Sequence, residues 1–196
     1  MVRWYHLIMT AYGFWLPNDP RGSWSDFVGF WELYKFGPAT KTTEKRSLAH
    51  DPHDRATRLA AKEALKYPPV RFDEKQRHAI AEGFAIAVAE SNYALHALCI
   101  GHDHSHAIVS RHNRSIEQIA RHLKSKATVA LTRNEVHPLA EYMNNDGSCP
   151  TPWAAKCRSV FINDEVQLAA AIAYVQRHPQ KEGLPAQSHE FLKPLI

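Results

Sequence analysis

Cysteine is scarce in this chain of 196 residues: Cys99, Cys149 and Cys157 are an odd number with no C-x-x-C spacing. That excludes a disulfide framework and a cysteine zinc site, and it points to a reducing, cytoplasmic compartment. Long apolar runs are missing as well. The opening MVRWYHLIMTAYG holds an apolar stretch too short for a membrane span and lacks the small-residue pattern of a secretory cleavage site, so no membrane partner is expected. There is no internal repeat and no low-complexity segment, and the length suits one well-buried core, so 1–196 reads as a single domain. Acid is nearly absent from one stretch. The net charge is only +4, but Arg111, Arg114, Arg121, Lys124, Lys126 and Arg133 face a single acid, Glu117, between 111 and 133. Phosphates are a common reason for such a block.

The remaining pattern is mixed α and β. Residues 2–11, rich in Trp, Tyr, Leu and Ile, predict a first strand before Gly13. A long irregular insertion at about 12–50 follows, without sustained period but with Trp15, Trp24, Phe27, Phe30, Trp31, Tyr34 and Phe36. Helices are predicted over 52–66 and 74–91, a strand over 93–100, and a turn at Gly101–Asp103 that folds it back on a histidine-bearing strand. Ser115 is the expected N-cap of a helix over 115–132 whose buried face carries Ile116, Ile119, Leu123, Ala127 and Leu131, with Arg121, Lys124 and Ser125 on the other face. A strand near 158–162 and a helix over 164–177, ending near Pro179, complete the chain. The order suits an α+β, ferredoxin-like antiparallel sheet with helices on one face, leaving the other surface free.

Within GHDHSHAIVS, His104 and His106 are one residue apart. Strand side chains alternate, so both project from one face and can share a metal ion, while Ser105, Ala107 and Val109 point to the packed side. The same spacing fits a merely half-exposed strand, and His102 adds a third histidine to that face. In the last helix Tyr174 and His178 are four apart and stack on one face. Leu168, Ile172 and Val175 form the apolar stripe, and Tyr174 lies roughly 120–130° from its centre. On spacing alone, a tyrosine snorkelling to water and a histidine favoured by the helix dipole fit these positions better than a joint site does.

Three segments, GHDHSHAIV (101–109), WAAKCRSVFIND (153–164) and YVQRHPQKEGLPAQ (174–187), resemble the single-tyrosine HUH transposases, especially the REP-associated tyrosine transposases. The opening YHLIMTAYGFWLPNDPRGSW (5–24) is similar to that of a longer-chain branch of the group. The resemblance implies the HUH endonuclease fold and an enzyme that cuts and rejoins single-stranded DNA, at hairpin sequences, while associated with the nucleoid. It implies Tyr174 as nucleophile, and His104, His106 and His178 as ligands of a divalent cation, Mn²⁺ or Mg²⁺. The products would be a 5′-phosphotyrosine and a free 3′-hydroxyl. Some relatives are homodimers and others monomers, so a homodimer is one expected state.

Two departures stand out. Ser105 replaces the family's hydrophobic middle residue, and His178 stands where relatives present Asn, Gln or Glu. An all-imidazole set suits Mn²⁺ better than Mg²⁺. For DNA contacts the expected residues are Arg21, in the turn 18–22 beside the tryptophans, together with Arg111, Arg114, Arg121, Lys124 and Lys181. A solvated helix face explains the α-helical ones equally well. Two other functions remain open: a metal hydrolase using His102, His104 and His106 with an activated water, and a non-catalytic domesticated DNA-binding protein.

Overall fold

The computed structural model describes residues 3–14, 16, 31–37 and 54–194, which divide into two compact units, 11–70 and 3–10 together with 71–194. The expected Arg21 contact, and the turn at 18–22 with Trp15, Trp24, Phe27 and Phe30, lie outside the described residues.

In the smaller unit a 3-10 turn, Trp31–Phe36, packs by Leu33 and Phe36 against α1 (Arg55–Glu63), with Leu16, Ala61 and Leu65 in the same cluster. Asp54 caps α1 by accepting from the Thr57 N–H.

The larger unit is a four-stranded antiparallel sheet in the order β2-β3-β1-β4, formed by β1 (Trp4–Thr10), β2 (Leu95–Ile100), β3 (His104–Ser110) and β4 (Arg158–Ile162). With α2 (Glu74–Ser91) between β1 and β2 and α3 (Ile116–Arg133) between β3 and β4, this is the ferredoxin-like arrangement. Both helices begin where their sequences require. Asp73 and Gln76, then Ser115 and Gln118, form reciprocal capping boxes. The two helices approach so closely that a Cβ on Gly83 would lie 2.5 Å from the Ala127 backbone, so position 83 has no room for a side chain.

Strand alternation sorts the sheet into two faces. Leu7, Met9, Ser105, Ala107 and Val109 are fully buried beneath α2 and α3. The opposite face, which the sequence reading leaves free, is instead covered by α4 (Glu165–Lys181). Leu168 and Val175 are buried against Ala97, Cys99, Ile108 and Ile162, with Trp4, Ala171 and Ile172 at the margin. Burying each such aliphatic side chain contributes about 1.5–3 kcal/mol, enough to dock the helix. α4 also runs through Pro179 rather than stopping before it. Proline removes one intrahelical N–H, but in the final turn the chain closes with Glu182 N–H and Leu184 N–H both donating to the Pro179 carbonyl. This extra turn positions Glu182.

A candidate metal and tyrosine site

The cluster on the α4 face is built from register. In the β1–β3 pairing Ile8 opposes His106 and Thr10 opposes His104, and in the β1–β4 pairing Ile8 opposes Arg158. Arg158, Ile8 and His106 therefore lie in one row across three strands, all on one face. α4 crosses this polar end with Tyr174 and His178. Tyr174 does leave the apolar stripe of its helix, as the helical wheel requires, yet its ring still meets the sheet: it lies 5.8 Å from the His6 ring, 5.5 Å from His106 and 5.3 Å from His178, centroid to centroid.

His104, His106 and His178 come together with one ring nitrogen each, all within 4.8 Å. His104 Nε2 and His178 Nε2 are 3.0 Å apart, and His106 and His178 are buried. His106 Nε2 is buried without a hydrogen-bond partner among the described residues. Neutral imidazoles with converging nitrogens fit a divalent cation, and the orphaned His106 nitrogen is the observation that such a cation explains. Burial, then the neighbouring histidines and Arg158, holds the His106 ring well below the ordinary histidine pKa, so it is neutral and competent as a ligand.

Four further groups belong to the site and were not identified from the sequence. His6 Nε2 lies 2.8 Å from His106 Nδ1, and burial, followed by Arg158, His178 and His104, lowers its pKa to about 4. Asp103 Oδ1 accepts from His104 Nδ1 at 2.6 Å. Glu182 Oε1 lies 3.4 Å from His178 Nε2 and 3.5 Å from His104 Nδ1, while Oε2 accepts from the His102 N–H. Burial alone would raise the Glu182 carboxyl, but the His178 and His102 hydrogen bonds and the His104 and His178 charges together hold it below the usual carboxylate range. Its seat requires Gly101, where any Cβ would collide with Glu182 Oε2. The fourth group is Arg158. Burial raises the Tyr174 phenol above its ordinary value, the Arg158 guanidinium opposes that rise, and Cys99 and Glu182 add to it.

The other sequence candidates are placed differently. Lys181 Nζ stands 4.6 Å from the Tyr174 ring centroid, at the site. Arg111 lies past the far end of β3, and five residues of strand from His106 span roughly 17 Å. Arg114 donates to the Tyr93 hydroxyl. Arg121 is exposed on α3, which packs on the opposite face of the sheet, and borders a groove of about 660 Å³ between α3 and residues 151–157. Lys124 is not on a solvated face as expected: it is buried, donating to the carbonyls of Ala154 and Lys156. Lys126 and Arg133 pair with Glu90 and Glu82 of α2, so the basic block of the sequence is partly neutralised in the fold. His102 is not part of the cluster either. It precedes β3 and its Nδ1 lies against the Phe72 carbonyl and Arg77, so the three-histidine strand face that the hydrolase reading needs is not formed.

No protein-family model matches the sequence, and no curated protein matches it. Among solved structures the chain is similar to a REP-associated tyrosine transposase bound to a REP hairpin, with a TM-score of 0.47 and 10% identity over 94% of this chain and 70% of that one. Among the described residues no helix is long and apolar enough to cross a membrane.

Proposed function

We propose that this chain is a divalent-metal-dependent strand transferase acting on single-stranded or hairpin DNA, with Tyr174 as nucleophile. The observation that supports it most is the meeting of Tyr174 with three histidines from β3 and α4 in one partly buried cluster. A partly exposed Tyr174 beside the buried His106 and His178 can reach a substrate while those two imidazoles are shielded from water.

In the reaction, Tyr174 Oη forms a bond to the scissile phosphorus and the P–O3′ bond breaks. The 3′-oxygen leaves as a hydroxyl and the 5′-phosphate stays on the tyrosine. Attack by a 3′-hydroxyl on that phosphotyrosine reverses the step and rejoins DNA without ATP. A phenol of ordinary pKa is only about one part in a thousand ionised at pH 7, so activation must supply roughly 4 kcal/mol, and burial of Tyr174 adds to that demand. His104, His106 and His178 are the residues that would hold the cation, which when bound polarises a non-bridging phosphate oxygen. Arg158 and Lys181 are the cations beside the tyrosine and would face the phosphate and the developing phenolate. Arg111 and Arg121 would contact the DNA backbone away from the chemistry.

The test is incubation with end-labelled hairpin oligonucleotides and Mn²⁺, Mg²⁺ or chelator, read on a denaturing gel. A covalent adduct that needs metal, disappears in Tyr174→Phe and is stronger with Mn²⁺ is the expected result. Cleavage by both proteins without an adduct overturns the reading in favour of hydrolysis, and hairpin binding without cleavage in favour of a DNA-binding protein. Equal or better activity with Mg²⁺ counts against His178 as a ligand.

A further inference from the structure

The two strand histidines are backed in the same way. His104 presents Nε2 to His178 at 3.0 Å, while its Nδ1 lies 2.6 Å from Asp103 Oδ1. An ionised carboxylate only accepts, so His104 Nδ1 carries the proton and Nε2 carries the lone pair. His106 repeats the pattern, with Nδ1 engaged at 2.8 Å and Nε2 buried without a partner among the described residues, but the group behind it is His6.

We propose that His6 is a positioning residue for the metal centre: its Nε2 accepts from His106 Nδ1–H, which fixes the His106 ring and keeps His106 Nε2 as a lone pair directed at the cluster. The inference rests on the metal-binding reading of His104, His106 and His178 given above. His6 holds this place through the sheet. It opposes Ile108 in the β1–β3 register, hence lies diagonally beside His106 on the same face, and the ring centroids are 5.0 Å apart. The reverse tautomer, with His6 donating, would leave an N–H of His106 buried with no acceptor among the described residues. The proposed one leaves a lone pair beside two other imidazoles, where a cation satisfies it. Outer contacts of this kind fix ligand tautomer and raise ligand basicity, and their loss costs metal affinity about 10- to 100-fold. An imidazole is well suited to the task here. Asp103 and Glu182 already bring two carboxylates to the wall of the site, and a neutral acceptor orients His106 without adding a third buried charge.

The experiment uses the full-length protein without DNA, so its outcome is independent of strand transfer. Co²⁺ is titrated into wild type, His6→Phe and His6→Gln, following the visible d–d absorption, with the thermal midpoint of each metal-free protein as a control for folding. Gln can place an amide oxygen near the position of His6 Nε2, whereas Phe keeps the ring and removes the acceptor. The expected result is a loss of about 10- to 100-fold in Co²⁺ affinity with an altered band in His6→Phe, and affinity within about threefold of wild type in His6→Gln. Wild-type affinity and spectrum in His6→Phe overturn the proposal, as does a wild-type chain that binds no Co²⁺. A second measurement holds even where a variant fails to fold: the tautomer of His106 in the metal-free wild type, read by long-range ¹H–¹⁵N correlation NMR. Protonation at Nδ1 supports the role, and protonation at Nε2 overturns it. A failure of Tyr174 to form an adduct, with these results intact, would reject the strand-transfer reading and leave His6 in place.

Discussion

The two faces of the one sheet are made from the same strands by simple alternation, yet they have opposite chemistry. Under α2 and α3 lie Leu7, Met9, Ala107 and Val109, with Ser105 as the one polar side chain of β3 among them. Under α4 the face is split: Ala97, Cys99, Ile108 and Ile162 hold the helix, and alongside them stand His6, His104, His106 and Arg158. The first face serves stability alone, whereas the second face docks a helix with its apolar residues and presents charge and lone pairs with its polar ones. Even Cys99 keeps to this division, since burial, with a contribution from Glu182, pushes its thiol up to about 12 and makes it an inert packing residue.

The sharpest way to break the contrast is to truncate one residue on each face. Met9→Ala should lower the unfolding free energy by about 2–5 kcal/mol in denaturant titrations and leave metal affinity unchanged. His106→Ala should abolish metal binding by calorimetry and cost the metal-free protein less stability than Met9→Ala does, because the lost His6 hydrogen bond and packing are partly offset by removal of a buried nitrogen that has no partner among the described residues. Equal losses of stability in the two variants would show that the faces are not separable.

Acid should weaken the polar face next. His6 titrates at about 4 in the fold against 6.5 when unfolded, so between those values the unfolded chain holds the extra proton. Stability therefore rises with pH across this window and is lost as pH falls from about 6.5 towards 4, by up to about 3 kcal/mol from this residue. Burial lowers the pKa of His137 as well, and it contributes in the same direction. Thermal midpoints of metal-free wild type and His6→Gln across that range should show the shallower slope in the variant.

The smallest expected effects separate two basic residues of α3. Lys124→Met should cost roughly 1–3 kcal/mol of stability, since the carbonyls of Ala154 and Lys156 lose their donor. Its DNA affinity should keep the wild-type salt dependence. Arg121→Ala should leave stability within about 0.5 kcal/mol and reduce the salt slope of single-strand binding by about 1. An unchanged slope in Arg121→Ala would remove this residue from the DNA interface.

The elements that carry their own start signals were legible. Asp73 and Gln76 mark the start of α2, Ser115 and Gln118 mark α3, and the strand RSVFI occupies 158–162 as its β-branched and aromatic pattern requires. Strand alternation likewise brings His104 and His106 to one face, and helical spacing brings Tyr174 beside His178. The supporting groups were not legible for a different reason. His6 and His106 are a hundred residues apart and meet only through the β1–β3 register, and Arg158 joins them through a third strand. Lys124 has the spacing of a solvated position, and only the return of residues 154–156 over α3 buries it. Glu182 did leave a signal, four residues after His178. A helix ended at Pro179 discards that spacing, whereas one carried through it keeps the carboxylate on the His178 face.

His104 and His178, whose nitrogens touch, are separated by seventy-four residues of chain. During synthesis the hairpin that bears His104 and His106 is made before α4, so a chain terminated ahead of α4 carries two of the three clustered histidines and lacks Tyr174. The cluster of Tyr174 with the three histidines is therefore complete only after the last helix has been made and has docked its Leu168 and Val175 stripe on the sheet.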